Sequence, residues 1–236
     1  MEFGVAELLD FVDNVYDAEM SRNAGGMRAP DMFSLYHCLR RVQPTLVIES
    51  GVWNGQSTKL IRKTLPRCRI VCLDPRPVPA DCRDRDANTT YRVGREFVDF
   101  GALDASICAG ERTLAFFDDH QNAVQRLEQA HAKGIRHLLF NDNYPVGCGS
   151  HFTLEHLLRG DSRHGDCRGR DAVARLLRQY VIYPNVFAGR IPTGEGEFAC
   201  SALLESAAAP AEPRLAVFAQ DRASYRWNTY VELGSA

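Results

Sequence analysis

The sequence predicts an α/β fold with a doubly wound sheet that is mostly parallel. From Thr45 onward, short apolar runs alternate with amphipathic helical patterns, an order typical of parallel strands joined by right-handed crossovers. Three of the predicted strands end in, or are followed by, acidic residues, which are Glu49, Asp74 and Asp142. Ligands of open α/β sheets lie outside the carboxyl ends of the strands. The acids therefore indicate an enzyme site at that edge of the sheet.

The composition favours one soluble domain. A chain of 236 residues can bury one sizeable core, so we expect a single domain over 1–236, with N-terminal helices over 1–43 and an α/β core over 44–236. There are 28 Lys and Arg against 30 Asp and Glu, without a block of like charges, and we expect no nucleic-acid partner. No apolar run is long enough to cross a bilayer, and the N-terminus lacks a basic region followed by an apolar run. With eight irregularly spaced cysteines, the sequence predicts a cytoplasmic protein in a reducing compartment, with no membrane partner.

Two amphipathic helices are predicted ahead of the first strand. Residues 21–30, between them, contain two adjacent glycines and a proline, which predicts a loop. That loop could cover a site as a lid, or it could be a plain helix connection. Apolar residues recur at helical spacing in both helices, namely Val5, Leu8, Leu9 and Val12 in the first and Met32, Leu35, Tyr36 and Leu39 in the second.

The elements of the core follow in an alternating order. Two C-terminal strands, over 198–204 and 225–233, are joined by an Ala/Pro-rich loop without room for a crossover helix, so we expect an antiparallel pair at one edge of the sheet. The preceding strands are predicted over 45–49, 70–74, 90–93, 113–117 and 137–140, with helices from about Ser57, from about Asn122 and over 171–180.

A glycine-containing loop follows the first strand and leads into a helix. It extends from Glu49 to Ser57, and glycine at Gly51 and Gly55 lets the backbone turn sharply and approach a ligand closely. The spacing excludes the G-x-G-x-x-G dinucleotide fingerprint, and Lys59 comes too late for a phosphate-binding P-loop. An ordinary strand-to-helix turn is the alternative interpretation.

The loop resembles the first motif of class I S-adenosylmethionine-dependent methyltransferases, in which Glu-x-Gly-x-x-x-Gly ends the first strand of a Rossmann-like sheet. The resemblance implies that the loop cradles the methionine part of S-adenosylmethionine and that Asp74 accepts hydrogen bonds from the ribose hydroxyls. Asp74 precedes a proline, so it could also only initiate a turn. Gly94 resembles the start of the family's adenine pocket, with Glu96 beside it. The cofactor residues implied in this way are Glu49, Gly51, Gly55, Ser57, Asp74, Gly94 and Glu96.

The ends of the fourth and fifth strands resemble the metal site of cation-dependent O-methyltransferases of the catechol type. In that group an Asp-His pair and an Asp-Asn pair end these strands, and Asp119-His120 and Asp142-Asn143 match them. The resemblance implies a Mg²⁺ or Mn²⁺ site formed by Asp119, Asp142 and Asn143, whose hard oxygens suit an octahedral ion. Such an ion would bind neighbouring acceptor hydroxyls and lower the pKa of one of them. Alternatively, one aspartate caps the next helix and Asp142-Asn143 forms a turn.

The general base is the point at which the sequence departs from the catechol type. That group has a lysine two residues after its Asp-His pair, and here the position is Asn122, which cannot take a proton. A looser resemblance to macrocin-type sugar O-methyltransferases, which use paired acids and an acidic base, leaves His120 or Asp118 as the base. His120 could instead only pack beside the carboxylates. We expect the acceptor to be a vicinal diol on a sugar or a small phenol, and the missing lysine favours the sugar.

A second metal site is suggested by cysteines and histidines after the fifth strand. Cys148-x-x-His151 and His164-x-x-Cys167 could together bind a structural Zn²⁺ tetrahedrally. The alternative is a solvated insertion near the substrate.

The sequence thus predicts methyl transfer to a small-molecule or glycan hydroxyl. A hydroxylase-like relative with the same fold and metal acids is one rival, and a non-catalytic regulatory protein that binds the cofactor is another. The sequence does not predict an oligomeric state.

Overall fold

A seven-stranded sheet lies at the centre of the structure, a computed structural model that describes residues 4–17, 23–187, 189–204 and 212–234. The strands along the chain are β1 (Leu46–Ser50), β2 (Arg69–Asp74), β3 (Thr89–Val93), β4 (Thr113–Phe117), β5 (His137–Phe140), β6 (Leu177–Ile182), β7 (Asn185–Phe187), β8 (Arg190–Thr193), β9 (Gly196–Ala199), β10 (Ala202–Leu204) and β11 (Thr229–Leu233). The central sheet has the order β3-β2-β1-β4-β5-β11-β6. Strands β1 to β5 are parallel, and β11 runs antiparallel to both of its neighbours. Two small sheets, β7 with β10 and β8 with β9, complete the described strands.

Helices cover both faces of the central sheet. They are α1 (Val5–Asn14), α2 (Ala29–Val42), α3 (Gln56–Thr64), α4 (Ala123–Ala132), α5 (Leu154–Arg159), α6 (Arg170–Leu176) and α7 (Ala216–Gln220). In β1, Val47 joins an apolar cluster with α1, α2 and α3, whereas Leu46 and Ile48 join a second cluster with α4 and α5. Strands β1 and β4 are buried at every residue, as expected for strands covered on both sides. None of the helices in these described ranges is long and apolar enough to span a membrane.

The starts of two helices illustrate the local chemistry that positions the site. Helix α2 has Pro30 in its first turn, where a missing N–H leaves no helical hydrogen bond unmade. Helix α4 is capped by Asn122, whose side-chain oxygen accepts the N–H groups of Val124 and Gln125 at 3.0 and 3.2 Å. The residue in the position of the catechol-type lysine is therefore a helix cap.

The strand register brings the carboxyl ends of β1, β4 and β5 to the same level. Ser50 pairs with Phe117 across β1 and β4. The ladder continues one residue further, because the N–H of Asp118 donates to the Ser50 carbonyl at 2.8 Å and that of Asn141 donates to the Phe117 carbonyl at 2.9 Å. Gly51, Asp118 and Asn141 therefore form a row along the edge of the sheet.

The doubly wound sheet and its antiparallel edge pair are confirmed, but only one member of the pair, the strand predicted over 225–233, is the predicted one. The helix predicted over 171–180 ends at Leu176, and the aromatic and β-branched run from Tyr180 continues as the edge strand β6, in keeping with its strand propensity. The strand predicted over 198–204 is divided between β9 and β10, outside the central sheet. Strand β11 begins only at Thr229, so the edge pair is β6 with β11.

Candidate active site

The glycine loop after β1 passes very close to the end of β4. Gly51 has a φ of 93°, and a Cβ built on it would lie 2.2 Å from the carbonyl oxygen of Asp118. Gly55 has a φ of 68°, and its Cβ would lie 2.4 Å from the carbonyl oxygen of Cys82. Both positions require glycine on conformational and steric grounds. The contact with Asp118 adds a reason for glycine that the sequence did not predict, since the loop must admit the neighbouring strand as well as a ligand.

Asp74, at the end of β2, connects the glycine loop to the loop that follows β2, at the carboxyl edge of the sheet. One of its oxygens accepts the N–H groups of Val52 and Trp53 at 3.0 Å each, and the other accepts the N–H of Arg76 at 2.8 Å. Burial alone would raise the pKa of Asp74, but the hydrogen bonds from Trp53, Arg76 and Val52 outweigh it and leave the pKa below its usual value. Asp74 is thus an ionised carboxylate beside the glycine loop, and its contact with a ribose stays a prediction.

Glu49 and Ser57 lie beneath the loop and contact each other. Glu49 is fully buried, and it accepts hydrogen bonds from the hydroxyls of Ser57 and Thr58, the latter at 2.6 Å, and from the Cys72 thiol at 3.4 Å. Burial raises the pKa of Glu49 to about 7 despite these donors. The pair joins β1 to the first turn of α3 and supports the loop from below. Contact of Glu49 or Ser57 with a cofactor stays a prediction.

The predicted adenine pocket lies in a short 3-10 turn over Gly94–Glu96 after β3. Gly94 has a φ of 60°, but a Cβ there would approach no atom closer than 3.5 Å, so only its backbone conformation favours glycine. Glu96 is exposed. Its role toward an adenine stays a prediction.

Asp118, His120 and Asp142 come together where β4 and β5 end. Their candidate ligand atoms all lie within 4.8 Å of one another. Among the residues described, these three side chains form a group that could hold a metal ion. His120 Nε2 lies 3.6 Å from an Asp142 oxygen. His120 and Asp142 have φ values of 53° and 56°, a left-handed conformation that is uncommon outside glycine and is often found at functional sites. Asn141 donates to Asp118 at 2.9 Å.

Burial and mutual repulsion raise the pKa values of the two acids of this cluster. Burial, and then the charge of Asp142, raises the pKa of Asp118 well above its usual value, and burial likewise raises the pKa of Asp142. The Oδ1 atoms of Asp142 and Asn141 are buried and accept no hydrogen bond from the residues described. Buried carboxylates that face each other, with lone pairs unused, are costly. A divalent cation would remove that cost, and carboxylate and amide oxygens are the ligands that Mg²⁺ and Mn²⁺ accept.

A third carboxyl group, which the sequence did not predict, approaches the cluster from α2. Asp31 is 1% exposed, and one of its oxygens accepts the N–H of Arg226 at 3.0 Å. The other oxygen has no hydrogen-bond partner in the part of the chain that the structure describes. Burial, reinforced by the charge of Asp142, raises the pKa of Asp31 to about 8. In the sequence this residue resembles any acid in the first turn of a helix, so only a burial pattern around it could have marked it.

The structure does not bring Asp119 and Asn143, two of the predicted ligands, into this cluster. Asp119 accepts the Ser50 hydroxyl at 2.6 Å and forms an ion pair with the buried Arg126 at 2.8 Å. Asn143 donates to Tyr180 and Thr229 at 2.8 Å each, and its oxygen accepts two N–H groups at the start of α5. Their polar atoms thus serve packing, and Asp118, predicted as a base, occupies the position expected for Asp119. The reason is the register: β4 ends at Phe117, so Asp118 is the first side chain beyond the sheet.

The predicted zinc site is wrong. The four residues are described, and they do not form a group that could hold a metal. The thiols of Cys148 and Cys167 donate instead to the carbonyls of Pro145 and His156 at 3.7 Å each, and all eight cysteines of the chain are free. His164 packs on the ring of His156, and His151 packs on the ring of His120, each with ring centroids 5.6 Å apart. His156, in the first turn of α5, lies between the two predicted pairs, with its Nε2 atom 2.9 Å from the Cys148 carbonyl oxygen, and sequence spacing could not reveal this.

A cleft of about 300 Å³ opens beside the acids. Its walls are mostly polar and include Asp31, Asp118, Asp142, Tyr144 and Arg226, with Gly25 to Arg28 along one side. The latter belong to the loop over 21–30, for which the sequence left a lid and a plain helix connection as alternatives, and of which residues from 23 onward are described. The loop is attached to the glycine loop by hydrogen bonds from Asn54 to Asn23 at 3.0 Å and from the Trp53 indole to the Ala24 carbonyl at 2.9 Å.

Comparisons with known proteins support the fold. No protein-family model matches the chain, and no curated protein is significantly similar to it in sequence. Among solved structures, the O-methyltransferase TomG from Streptomyces achromogenes, involved in tomaymycin synthesis and solved with S-adenosylmethionine, is 13% identical, with coverage of 98% of this chain and 97% of that chain and a TM-score of 0.50. An O-methyltransferase from Bacillus cereus, solved with S-adenosylhomocysteine, is 14% identical, with coverage of 98% and 93% and a TM-score of 0.44. The chain therefore has the Rossmann-like fold seen in S-adenosylmethionine-dependent O-methyltransferases, and the activity must be argued from the site.

Proposed function

We propose that this protein is an S-adenosylmethionine-dependent O-methyltransferase that holds its acceptor hydroxyl on a divalent cation. The observation that carries the proposal is the pair Asp118 and Asp142, whose carboxylate oxygens converge with His120 at the carboxyl edge, and of which Asp142 Oδ1 is buried without a hydrogen bond from the described residues. The glycine loop and the ionised Asp74 lie at the same edge, where α/β folds of this kind bind their ligands.

The donor atoms present fit both groups. Asp118, Asp142 and Asn141 would hold Mg²⁺ or Mn²⁺ through hard oxygens. Asp74 and the loop from Gly51 would hold S-adenosylmethionine. When bound, the cation would lower the pKa of the acceptor hydroxyl, and the cofactor would supply the methyl group.

The chain's own residues would then position the acceptor and take its proton. Methyl transfer from a sulfonium is an in-line displacement, so the acceptor oxygen must be held close to the methyl carbon. His120 is the better candidate for the base, because Asp118 is engaged in the cluster while the His120 side chain is 54% exposed on the cleft. A proton would pass to its Nε2 atom, which faces Asp142.

The polar cleft supports a hydrophilic acceptor. Two arginines, three aspartates, a histidine and a tyrosine line it. A flat phenol would find one aromatic side chain there, Tyr144, whereas a sugar hydroxyl or another polar diol would find several hydrogen-bond partners. We therefore place a sugar or other polar vicinal diol ahead of a simple phenol.

The test is transfer of a labelled methyl group from S-adenosylmethionine to a panel of sugar and phenolic diols, with and without Mn²⁺. We expect transfer that excess chelator abolishes and Mn²⁺ restores, and Asp142→Asn should lose at least about 99% of the rate because a neutral amide cannot replace the charged ligand. Asp171→Asn, the same chemical change at an 82% exposed side chain on α6, is the matched control and should retain the wild-type rate.

Other outcomes distinguish the rivals. Full activity in excess chelator would remove the cation from the mechanism. Tight binding of S-adenosylhomocysteine without transfer to any acceptor would favour a regulatory protein, and oxidation of an acceptor without methyl transfer would favour the hydroxylase-like relative.

A further inference from the structure

The segment before β11 holds Arg226 at the cleft in a fixed position. The N–H of Arg226 donates to Asp31 at 3.0 Å, and the Asn228 side chain donates to the Asp31 carbonyl at 3.1 Å. Between them, Trp227 has a φ of 54°, an unfavourable conformation for a bulky residue. Its ring is buried in a small cluster with Tyr225, and this packing holds the backbone in that conformation. Two hydrogen bonds and a buried ring thus fix the backbone of Arg226 beside the cleft, on whose wall its side chain lies.

The guanidinium of Arg226 is only weakly engaged. Its Nε lies 3.8 Å from Asp142 Oδ1, which is too long for a hydrogen bond. Within the described ranges, one hydrogen bond is formed, from NH1 to the Tyr225 carbonyl at 3.2 Å. A guanidinium has five N–H donors in a planar fork, which suits bidentate binding of a carboxylate. The side chain is 38% exposed, so the remaining donors can reach a ligand in the cleft.

The positive charges of the cleft favour binding of an anion once a cation is bound. Asp142 is the only acidic partner of Arg226 for which the structure records an ion pair, and in the proposed function that carboxylate binds the cation instead. Arg226 would then face a divalent cation across the cleft, with Arg28 also on the wall. An anionic group on the acceptor would remove the repulsion.

We propose that Arg226 binds a carboxylate carried by the acceptor close to the hydroxyl that is methylated, so that the substrate is a hydroxy acid and not a neutral diol. This inference rests on the proposed function and adds the charge of its substrate. The shared chemistry is a carboxylate near a diol, and a sugar acid and a phenolic acid are its two sources.

The test measures binding to the protein loaded with Mn²⁺ and S-adenosylhomocysteine, by calorimetry, for two matched pairs of probes. Glucuronate is compared with glucose, and protocatechuate with catechol. We expect the acid of one pair to bind about 10- to 100-fold more tightly than its neutral partner, as for a charge-assisted bidentate contact. The pair that shows the preference distinguishes the sugar from the phenolic acid.

Variants assign the preference to Arg226. Arg226→Gln should abolish it, Arg226→Lys should keep part of it, and Arg168→Gln, which removes the same charge at a 91% exposed side chain, should keep all of it. Arg226→Gln should not weaken Mn²⁺ binding, because it removes a positive charge that faces Asp142. Equal affinity for acid and neutral probes, no binding of either, or a preference that survives Arg226→Gln would each overturn the proposal. Failure of the wild-type chain to bind Mn²⁺ would instead refute the proposed function, and the inference with it.

Discussion

Replacing Gly51 by alanine should damage both the fold and the cation site. The new Cβ would lie 2.2 Å from the Asp118 carbonyl oxygen, 2.4 Å from its carbon and 2.9 Å from the Asp119 nitrogen, all of them backbone atoms that cannot rotate away. The φ of 93° costs an L-residue roughly 1–2 kcal/mol, and relieving the overlap costs about 1–3 kcal/mol more. Together these two costs should lower the free energy of unfolding by about 2–5 kcal/mol.

The chain provides a matched control for the backbone term. Gly110 has a φ of 74°, and a Cβ there would meet nothing within 4 Å, so Gly110→Ala should cost only the conformational part, about 1–2 kcal/mol. Chemical denaturation of the wild type and both variants measures the difference. Because the overlap moves Asp118, Gly51→Ala should also weaken Mn²⁺ binding at least about tenfold, whereas Gly110→Ala should leave it unchanged.

Two results would refute this reasoning. If Gly51→Ala were as stable as Gly110→Ala, the loop would not pass so close to β4. If Gly51→Ala were destabilised but bound Mn²⁺ normally, the end of β4 would not carry a cation ligand.

Three further predictions concern the cofactor, a buried acid and the base. Asp74→Ala should weaken S-adenosylhomocysteine binding in calorimetry by about 1.5–3 kcal/mol, the size of a lost charge-assisted hydrogen bond, and an unchanged affinity would exclude Asp74 from the cofactor site. Burial raises the pKa of Glu49 to about 7, so the native state binds more protons than the unfolded state, and the free energy of unfolding should fall as pH rises from about 4.5 to 7. Denaturation at a series of pH values should show this loss to be about 1–3 kcal/mol smaller in Glu49→Gln than in the wild type between pH 4.5 and 7. An equal loss in both proteins would contradict the burial of Glu49 as an acid. His120→Ala should lower the single-turnover rate by about 10²–10⁴ with little effect on S-adenosylhomocysteine binding, and a lower melting temperature at a wild-type rate would mean that His120 only packs.

The strands and the glycine loop were predictable because their signals are local. Apolar runs bounded by acids mark β1, β2, β4 and β5, and Gly51 and Gly55 mark a turn whose backbone conformation favours glycine. The antiparallel edge pair was predicted with one correct member, β11, but its partner β6 was not predicted, since this pairing joins segments that are 47 or more positions apart in the chain. Periodicity does not reveal such long-range choices.

The acid from β4 that meets Asp142 was predicted as Asp119 and is Asp118, for a similar reason. Asp118 and Asp119 are adjacent aspartates, and only the end of β4 at Phe117 decides which of them faces Asp142. The left-handed conformation of Asp142 then turns its side chain to meet that of Asp118. Asp31 and Arg226 reach the site from opposite ends of the chain, and no spacing in the sequence connects them.

The cation site can be tested directly by anomalous scattering from crystals grown with Mn²⁺ and S-adenosylhomocysteine. We predict one Mn²⁺ with oxygens of both Asp118 and Asp142 at about 2.0–2.3 Å, and with Asp119 still paired to Arg126. No anomalous peak between Asp118 and Asp142 at millimolar Mn²⁺, or a peak coordinated by Asp119 and Asn143 in their place, would contradict the account.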